Sequence, residues 1–273
     1  MNEKPEDSKT PEVSDGRRRL LKASALAVAA GGAYGVAPFY GPWKHNHVWS
    51  QAAQKKPLVI GLTMDASGQY GASGMEERLG AMMAIKEINA KGGVLGRPIE
   101  AIHMDTETTP ATGSRVAERL ITRNEAAFLV GALHSGVANA ISQVAQKYGC
   151  IYLNTNSSSP TEAGKDCHRV KFVWDGNGTN FALAIVKNAM AVNGKKWVML
   201  TNDYVWGHQT AKAMRTIVEA NGGQIVEEMM VPQNTRDFSA YLIKIQQIKP
   251  NVVATAVGGD DIKALRQQVV QLK

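Results

Sequence analysis

The sequence predicts an α/β fold, with mostly parallel sheet covered by helices on both faces. Three observations lead there. From residue 57 onward, short β-type runs alternate with amphipathic segments of helical period, the order that builds parallel sheets. Several runs, Leu58-Val59-Ile60-Gly61-Leu62 first among them, are apolar without alternation, as strands buried on both faces are. The hydrophobic share is 44% but the aromatic share only 6%, so the core is expected to be aliphatic. Of the 273 residues, about 220 follow an N-terminal leader, enough for one large domain or two small ones.

Taken in order, strand 58–62 leads to a helix from about Gly74 to Ala90. Its stripe of Leu79, Met82, Met83, Ile85 and Ile88 is expected to face the core, and Lys91-Gly92-Gly93 ends it. Pro98–His103 reads as a strand, and Pro110 opens a helix to about Thr122 at the favoured first turn. Ala127–Val130 is a strand, Gly136–Tyr148 a helix and Cys150–Leu153 a strand. Asn156–Lys165, rich in Ser, Pro, Thr and Gly, interrupts the order and is the natural crossing between two lobes. The alternation resumes with strand Val170–Trp174, helix Asn180–Val192, strand Trp197–Leu200 and helix Gly207–Ala220. Strand Ile225–Val231, helix Phe238–Ile248, strand Val252–Ala256 and helix Ile262–Leu272 complete it. The expected organisation is therefore a leader and linker over 1–53, a first lobe over 54–159 and a second over 160–273.

In such sheets ligands bind beyond the carboxyl ends of the strands. The loops there read Ser67–Gly71, Asp105–Thr109, His134–Gly136, Asn154–Ser159, Asn202–Gly207 and Gly258–Asp261. They hold hydroxyls, amides, glycines and a few aromatics, and helix N-termini open from several of them. That combination suits a small polar ligand, a carboxylate included. Taken singly, each Ser, Thr, Asn or Asp is equally an ordinary N-cap; their joint position after successive strands favours a site. Motifs with a catalytic mechanism are missing: Ser158 has no G-x-S-x-G elbow, His134 and Ser135 are merely adjacent, and no P-loop or G-x-G-x-x-G occurs. An enzyme, a cofactor and a metal centre are not expected; His45 and His47 are too isolated to ligate.

The formal net charge is +7; seven basic and five acidic residues precede residue 54, so +5 lies in the remainder. It is spread along helices without interleaved aromatics, which argues against nucleic-acid binding. Two cysteines, Cys150 and Cys167, permit a disulfide in an exported chain. That bridge is favoured over two separate thiols.

The front end supplies the export argument. Gly16-Arg17-Arg18-Arg19-Leu20-Leu21-Lys22 ahead of an Ala-rich run to about Ala37 is a leader of the twin-arginine kind, after a polar start expected to be disordered. The run is too short and too weakly apolar for a firm membrane span. Cleavage after Gly35-Val36-Ala37 and after Ser50-Gln51-Ala52 are both open. Phe39–Gln54 is a mature linker, a late part of the leader or a membrane-surface tether.

A family likeness rests on Ile60-Gly61-Leu62-Thr63, Gly68-Gln69-Tyr70-Gly71, Gly80–Ala84 and, most specifically, Asn89-Ala90-Lys91-Gly92-Gly93-Val94-Leu95-Gly96-Arg97-Pro98. From about Pro57 to its end the chain resembles the periplasmic solute-binding proteins of branched-chain amino acid ABC transporters. The resemblance implies two Rossmann-like lobes that close on a ligand about a hinge. It implies that Tyr70 flanks the ligand, Ser135 bonds its carboxylate, and Asn156 and Ser158 add a backbone and a hydroxyl contact. Trp206 takes the aromatic position of the second lobe, and Asp260 stands in that lobe's later loop where an aromatic is usual, suiting a cation or an amide. Members normally run on past the last helix, so the second lobe and its return crossings are expected to be incomplete. The implied function is an exported receptor in the periplasm that delivers a small solute to an ABC permease in the inner membrane, after passage through the twin-arginine translocase. A ligand-binding sensor domain and an exported α/β enzyme are the alternatives.

Overall fold

A computed structural model of the chain describes residues 55–271. The expected polar start, the twin-arginine leader with both cleavage points and the linker to Gln54 lie outside the described residues. The elements run β1 (Leu58–Leu62), α1 (Gly71–Ala90), β2 (Ile99–His103), α2 (Pro110–Thr122), β3 (Phe128–Gly131), α3 (Ser135–Tyr148), β4 (Ile151–Asn154) and β5 (Lys171–Val173). There follow α4 (Gly178–Asn193), β6 (Lys196–Asn202), α5 (Val205–Ala220), β7 (Gln224–Val231), α6 (Ser239–Ile248), β8 (Val252–Ala256) and α7 (Gly259–Gln271).

The strands form two sheets, ordered β2-β1-β3-β4-β5 and β7-β6-β8, parallel throughout. β1 and β6 each stand where the strand order reverses, so a crevice opens at the carboxyl end of each. The crossing between sheets falls later than the sequence suggests. β5 pairs with β4, Leu153 opposite Phe172, so the first sheet takes in residues 171–173 and a division at 159 and 160 cuts it short. Asn156–Lys165 is an excursion within the first lobe.

Burial follows strand alternation. In β6, Trp197 and Met199 enter a core closed by Ala182, Val186 and Met190 of α4 and by Ala211, Met214 and Val218 of α5. Val198 and Leu200 point the other way, to Phe238, Leu242 and Leu265 around α6 and α7. The second sheet is thus covered on both faces, as expected. In the first sheet, α2 and α3 cover one face through Val116, Leu120, Val137 and Ile141 packed on Leu129 and Tyr152. The other face is more open: Ile151 and Phe172 are exposed. The expectation for α1 is overturned here. Ile85 is buried, but Leu79 is 62% and Met83 65% exposed, and Met82 and Ile88 also face outward. An apolar period marks a helix; it does not say whether anything covers the stripe.

Several helices start two or three residues before their apolar stripes: Gly71 for Gly74, Gly178 for Asn180, Val205 for Gly207, Gly259 for Ile262. The backbone turns first and the stripe follows. The expected Cys150–Cys167 bridge is absent: both thiols are free. Cys150 is buried in the first core with Sγ 3.7 Å from the Ala126 carbonyl, while Cys167 is exposed. Among the described residues, no helix is long and apolar enough to cross a membrane.

Candidate functional site

The two crevices are built alike. After β1, Thr63, Met64 and Asp65 are fully buried, and the chain enters α1 with Tyr70 at the N-cap and no side-chain cap. A Cβ on Gly74 would lie 2.0 Å from the Asp65 carbonyl oxygen, so only glycine lets α1 settle on the strand end. After β6, Tyr204 occupies the N-cap of α5, again without a side-chain cap, and a Cβ on Gly207 would lie 1.9 Å from the Asn202 oxygen. The two tyrosines meet, hydroxyl to hydroxyl at 2.6 Å. Burial pushes Tyr70 up to about 12, with the bond to Tyr204 opposing, and pushes Tyr204 well above its ordinary value. Both stay neutral, so one donates and the other accepts.

A second tie joins the same loops. Gln69 Nε2 donates to Asn202 Oδ1 at 3.3 Å, to the Gly258 carbonyl at 3.2 Å and to Asp261 Oδ2 at 3.0 Å. Asp261 Oδ2 also accepts from Asn202 Nδ2 at 3.0 Å and from the Asn234 N–H at 3.1 Å. Burial raises the Asp261 pKa against these bonds. Two buried acceptors, Gln69 Oε1 and Asp261 Oδ1, have no partner among the described residues. A third tie is His134, which stacks on Tyr204 with ring centroids 4.2 Å apart. Its Nδ1 accepts from the Val137 N–H and its Nε2 faces Gln233 Oε1 at 3.1 Å, a pattern that fits the neutral Nε2–H tautomer. Burial brings its pKa down to about 4.

Beneath these lies a polar floor in the first lobe. Glu162 and Lys171, each with a side chain only 1% exposed, pair at 2.8 Å. Glu162 also accepts from Asn154 Nδ2 and from Ser157 Oγ, and Ser157 Oγ lies 2.9 Å from Ser135 Oγ. Glu77, on the second turn of α1, accepts from Thr155; burial, with the nearby Asp65 adding, pushes it up to about 8. Among the described residues no group of His, Cys, Asp and Glu is placed to hold a metal ion.

Of the residues expected at the site, Tyr70 takes part in the tie between the loops and Ser135 in the polar floor, 7% and 1% exposed. Ser158 is half-buried, its carbonyl accepting from Gly178 N–H at 3.1 Å across the crossing. Trp206 lies 5.9 Å from Tyr204 by ring centroids, with a buried Nε1 that finds no partner among the described residues. Asn156 is exposed and stands apart from the ties. Asp260 turns outward to Lys263 at 3.1 Å and Arg236 at 3.7 Å, and its neighbour Asp261 takes the inward place expected of it. Gln69, His134, Ser157, Asn202, Tyr204 and Asp261 were not singled out. Their signal was present: all lie in or beside the loops after strands, Tyr70 and Tyr204 both just ahead of a helix that settles through a glycine.

Two parallel sheets with strand-end loops tied across a crevice define the class of two-lobed binding proteins. A family model described as "Periplasmic binding protein" matches residues 57–271, and the chain belongs to that family. The Leu/Ile/Val-binding protein BraC3 of Rhizobium johnstonii is 28% identical over 72% of this chain and 53% of its own length. A periplasmic binding protein from Burkholderia mallei is 27% identical with a TM-score of 0.69, covering 79% of this chain and 58% of that one. The branched-chain amino acid substrate-binding protein LivJ of Streptococcus pneumoniae, solved with isoleucine, is 25% identical with a TM-score of 0.66, covering 73% and 56%. These relatives are binding proteins, not enzymes. The chain spans little more than half the length of the curated relatives it matches.

Proposed function

We propose that this chain is the solute-capturing part of an ABC importer's receptor, working in the periplasm and presenting a small polar ligand to a permease in the inner membrane. The ligand class is an amino acid, an amide or a carboxylate, held where the strand-end loops of the two lobes converge. The observation that carries this reading is the triple tie across the crevice: Tyr70 to Tyr204, Gln69 to Asn202 and Asp261, and His134 to Tyr204 and Gln233. Side chains from both lobes meet only when the lobes are together, so a ligand that joins them favours the closed form. Tyr70, Ser135, Ser158 and Trp206 form the seat, with Asn156 at its rim. The twin-arginine stretch Arg17-Arg18-Arg19 supports export by the matching translocase, and the family supports the compartment.

The test is thermal unfolding of the purified chain against amino acids, amides, urea and aromatic acids. A true ligand at a hundredfold excess over its dissociation constant stabilises by about 2.7 kcal/mol and raises the midpoint. A shift with one chemical class supports the receptor reading and identifies that class. A cooperative transition that no member of the panel moves counts against it.

A further inference from the structure

We infer that the hairpin 91–98 is a foot that rests the chain on an anionic bilayer, with Leu95 entering the lipid interface and Lys55, Lys91 and Arg97 meeting the headgroups. This foot stands apart from the ligand seat and does not depend on it.

Leu95 occupies a place that disfavours leucine. The hairpin joins α1 to β2 and closes on itself: the Val94 N–H donates to the Arg97 carbonyl at 2.8 Å, and the Arg97 N–H to the Val94 carbonyl at 3.0 Å. Its two central residues, Leu95 and Gly96, both have positive φ, 53° and 72°. That is the pattern of a type I′ turn, in which Asn, Asp or Gly fits the first central place and a leucine is strained. No packing offsets the strain, because Leu95 is 85% exposed and Val94 beside it 40%. A single exposed leucine is ordinary. One held at positive φ on the tip of a turn points to a use for that tip.

The tip is also braced. Arg97 donates through Nε to the Lys56 carbonyl at 2.8 Å and through Nη2 to the Pro57 carbonyl at 3.0 Å. Lys55 Nζ donates to the Leu95 carbonyl at 2.8 Å. A Cβ on Gly93 would lie 2.0 Å from the Arg97 carbonyl oxygen, so the two arms close through a bare backbone. A braced tip meets a surface with little ordering left to do.

Charge identifies the surface. Residues 91–98 include Lys91 and Arg97 and no acid; Glu87 and Glu100 lie on either side, outside the hairpin. Lys55, Lys91 and Arg97 have no carboxylate partner among the described residues, whereas Lys56 nearby is paired with Glu125. An apolar tip ringed by free cations complements an interface that is negative at the headgroups and apolar beneath them. Position agrees. The described fold starts at Lys55, against the tip, so the segment with the apolar run Ala23–Ala37 joins the fold at this corner. The hairpin lies at the amino end of β2 and the crevice at the carboxyl ends, so the contact leaves the crevice clear of lipid.

Hydrogen–deuterium exchange on the full chain reads the hairpin separately from the leader. The probes are vesicles of phosphatidylglycerol mixed equally with phosphatidylcholine, and vesicles of phosphatidylcholine alone. Slowed exchange across 91–98 is expected on the mixed vesicles only. A hairpin that exchanges there as it does in buffer overturns the inference, even where the leader holds the chain to lipid. Equal protection on both kinds of vesicle overturns it as well. Leu95→Asn separates a lipid contact from a structural role. Asn suits the turn, so the unfolding midpoint is expected to hold or rise, while protection on the mixed vesicles falls at least about fivefold for want of the leucine. A midpoint that drops with protection unchanged makes Leu95 structural and overturns the inference. Lys91→Gln and added salt are each expected to weaken the protection; protection that survives both excludes the headgroup contact.

Discussion

Single residues set the chain's response to pH, and they pull in opposite directions. Glu77 has an ordinary value of 4.5 and is pushed up to about 8. Its contribution to stability is full below about 4.5 and is lost as pH rises through 8. His134 is depressed from 6.5 to about 4, so its contribution is full above about 6.5 and is lost as pH falls toward 4. Between pH 6.5 and 8 only the carboxylate acts, so the unfolding midpoint is expected to fall with rising pH in that window. Glu77→Gln is expected to flatten the slope there; an unchanged slope rejects the assignment. On the acid side, the midpoint advantage of the wild type over His134→Gln is expected to shrink as pH falls below 6.5. Lys171→Met leaves Glu162 buried without its cation, a loss of about 3–5 kcal/mol by denaturant unfolding. A loss below about 1 kcal/mol would mean that the pair is not buried as described.

At the scale of the element, the glycines in α1 and α5 separate packing from propensity. Gly207→Ala puts a methyl into the Asn202 carbonyl, 1.9 Å away, and is expected to cost about 1–3 kcal/mol or more. Gly80→Ala meets nothing within 4 Å on an exposed turn of α1 and is expected to gain about 0.5–1 kcal/mol. Equal effects would sink the tight-approach account of α5. The elements were largely legible in the sequence because apolar period and turn residues are local signals. Fourteen residues of α3 and thirteen of α2 fell within one residue of expectation. What packs on an element is not local, and that is why the α1 stripe was misread as core. The site suffered from helix phase. With the last helix placed from Ile262, Asp260 and Asp261 were two loop acids of equal standing. Once the helix starts at Gly259 they point about 100° apart, one out to Lys263 and one in to Asn202. Gln69 and Tyr204 escaped notice because their partners lie more than a hundred residues away.

For the whole molecule, the tie between lobes is the quantity to measure. Tyr70→Phe and Tyr204→Phe each remove one end of a buried hydroxyl pair, and each is expected to cost about 1 kcal/mol. The double variant is expected to cost about 1 kcal/mol less than the two singles together, because the second change removes nothing the first has left intact. Strict additivity would mean that the hydroxyls do not bond across the crevice. The two unbridged cysteines have a practical consequence. Cys150 is shut in the first core, with burial pushing its thiol up, while Cys167 stands in the open between the excursion and β5. A maleimide dye added to the native chain therefore attaches at one address without any engineering. Cys167 sits four residues before Lys171, so the dye marks the entry to β5 while the buried core stays unlabelled.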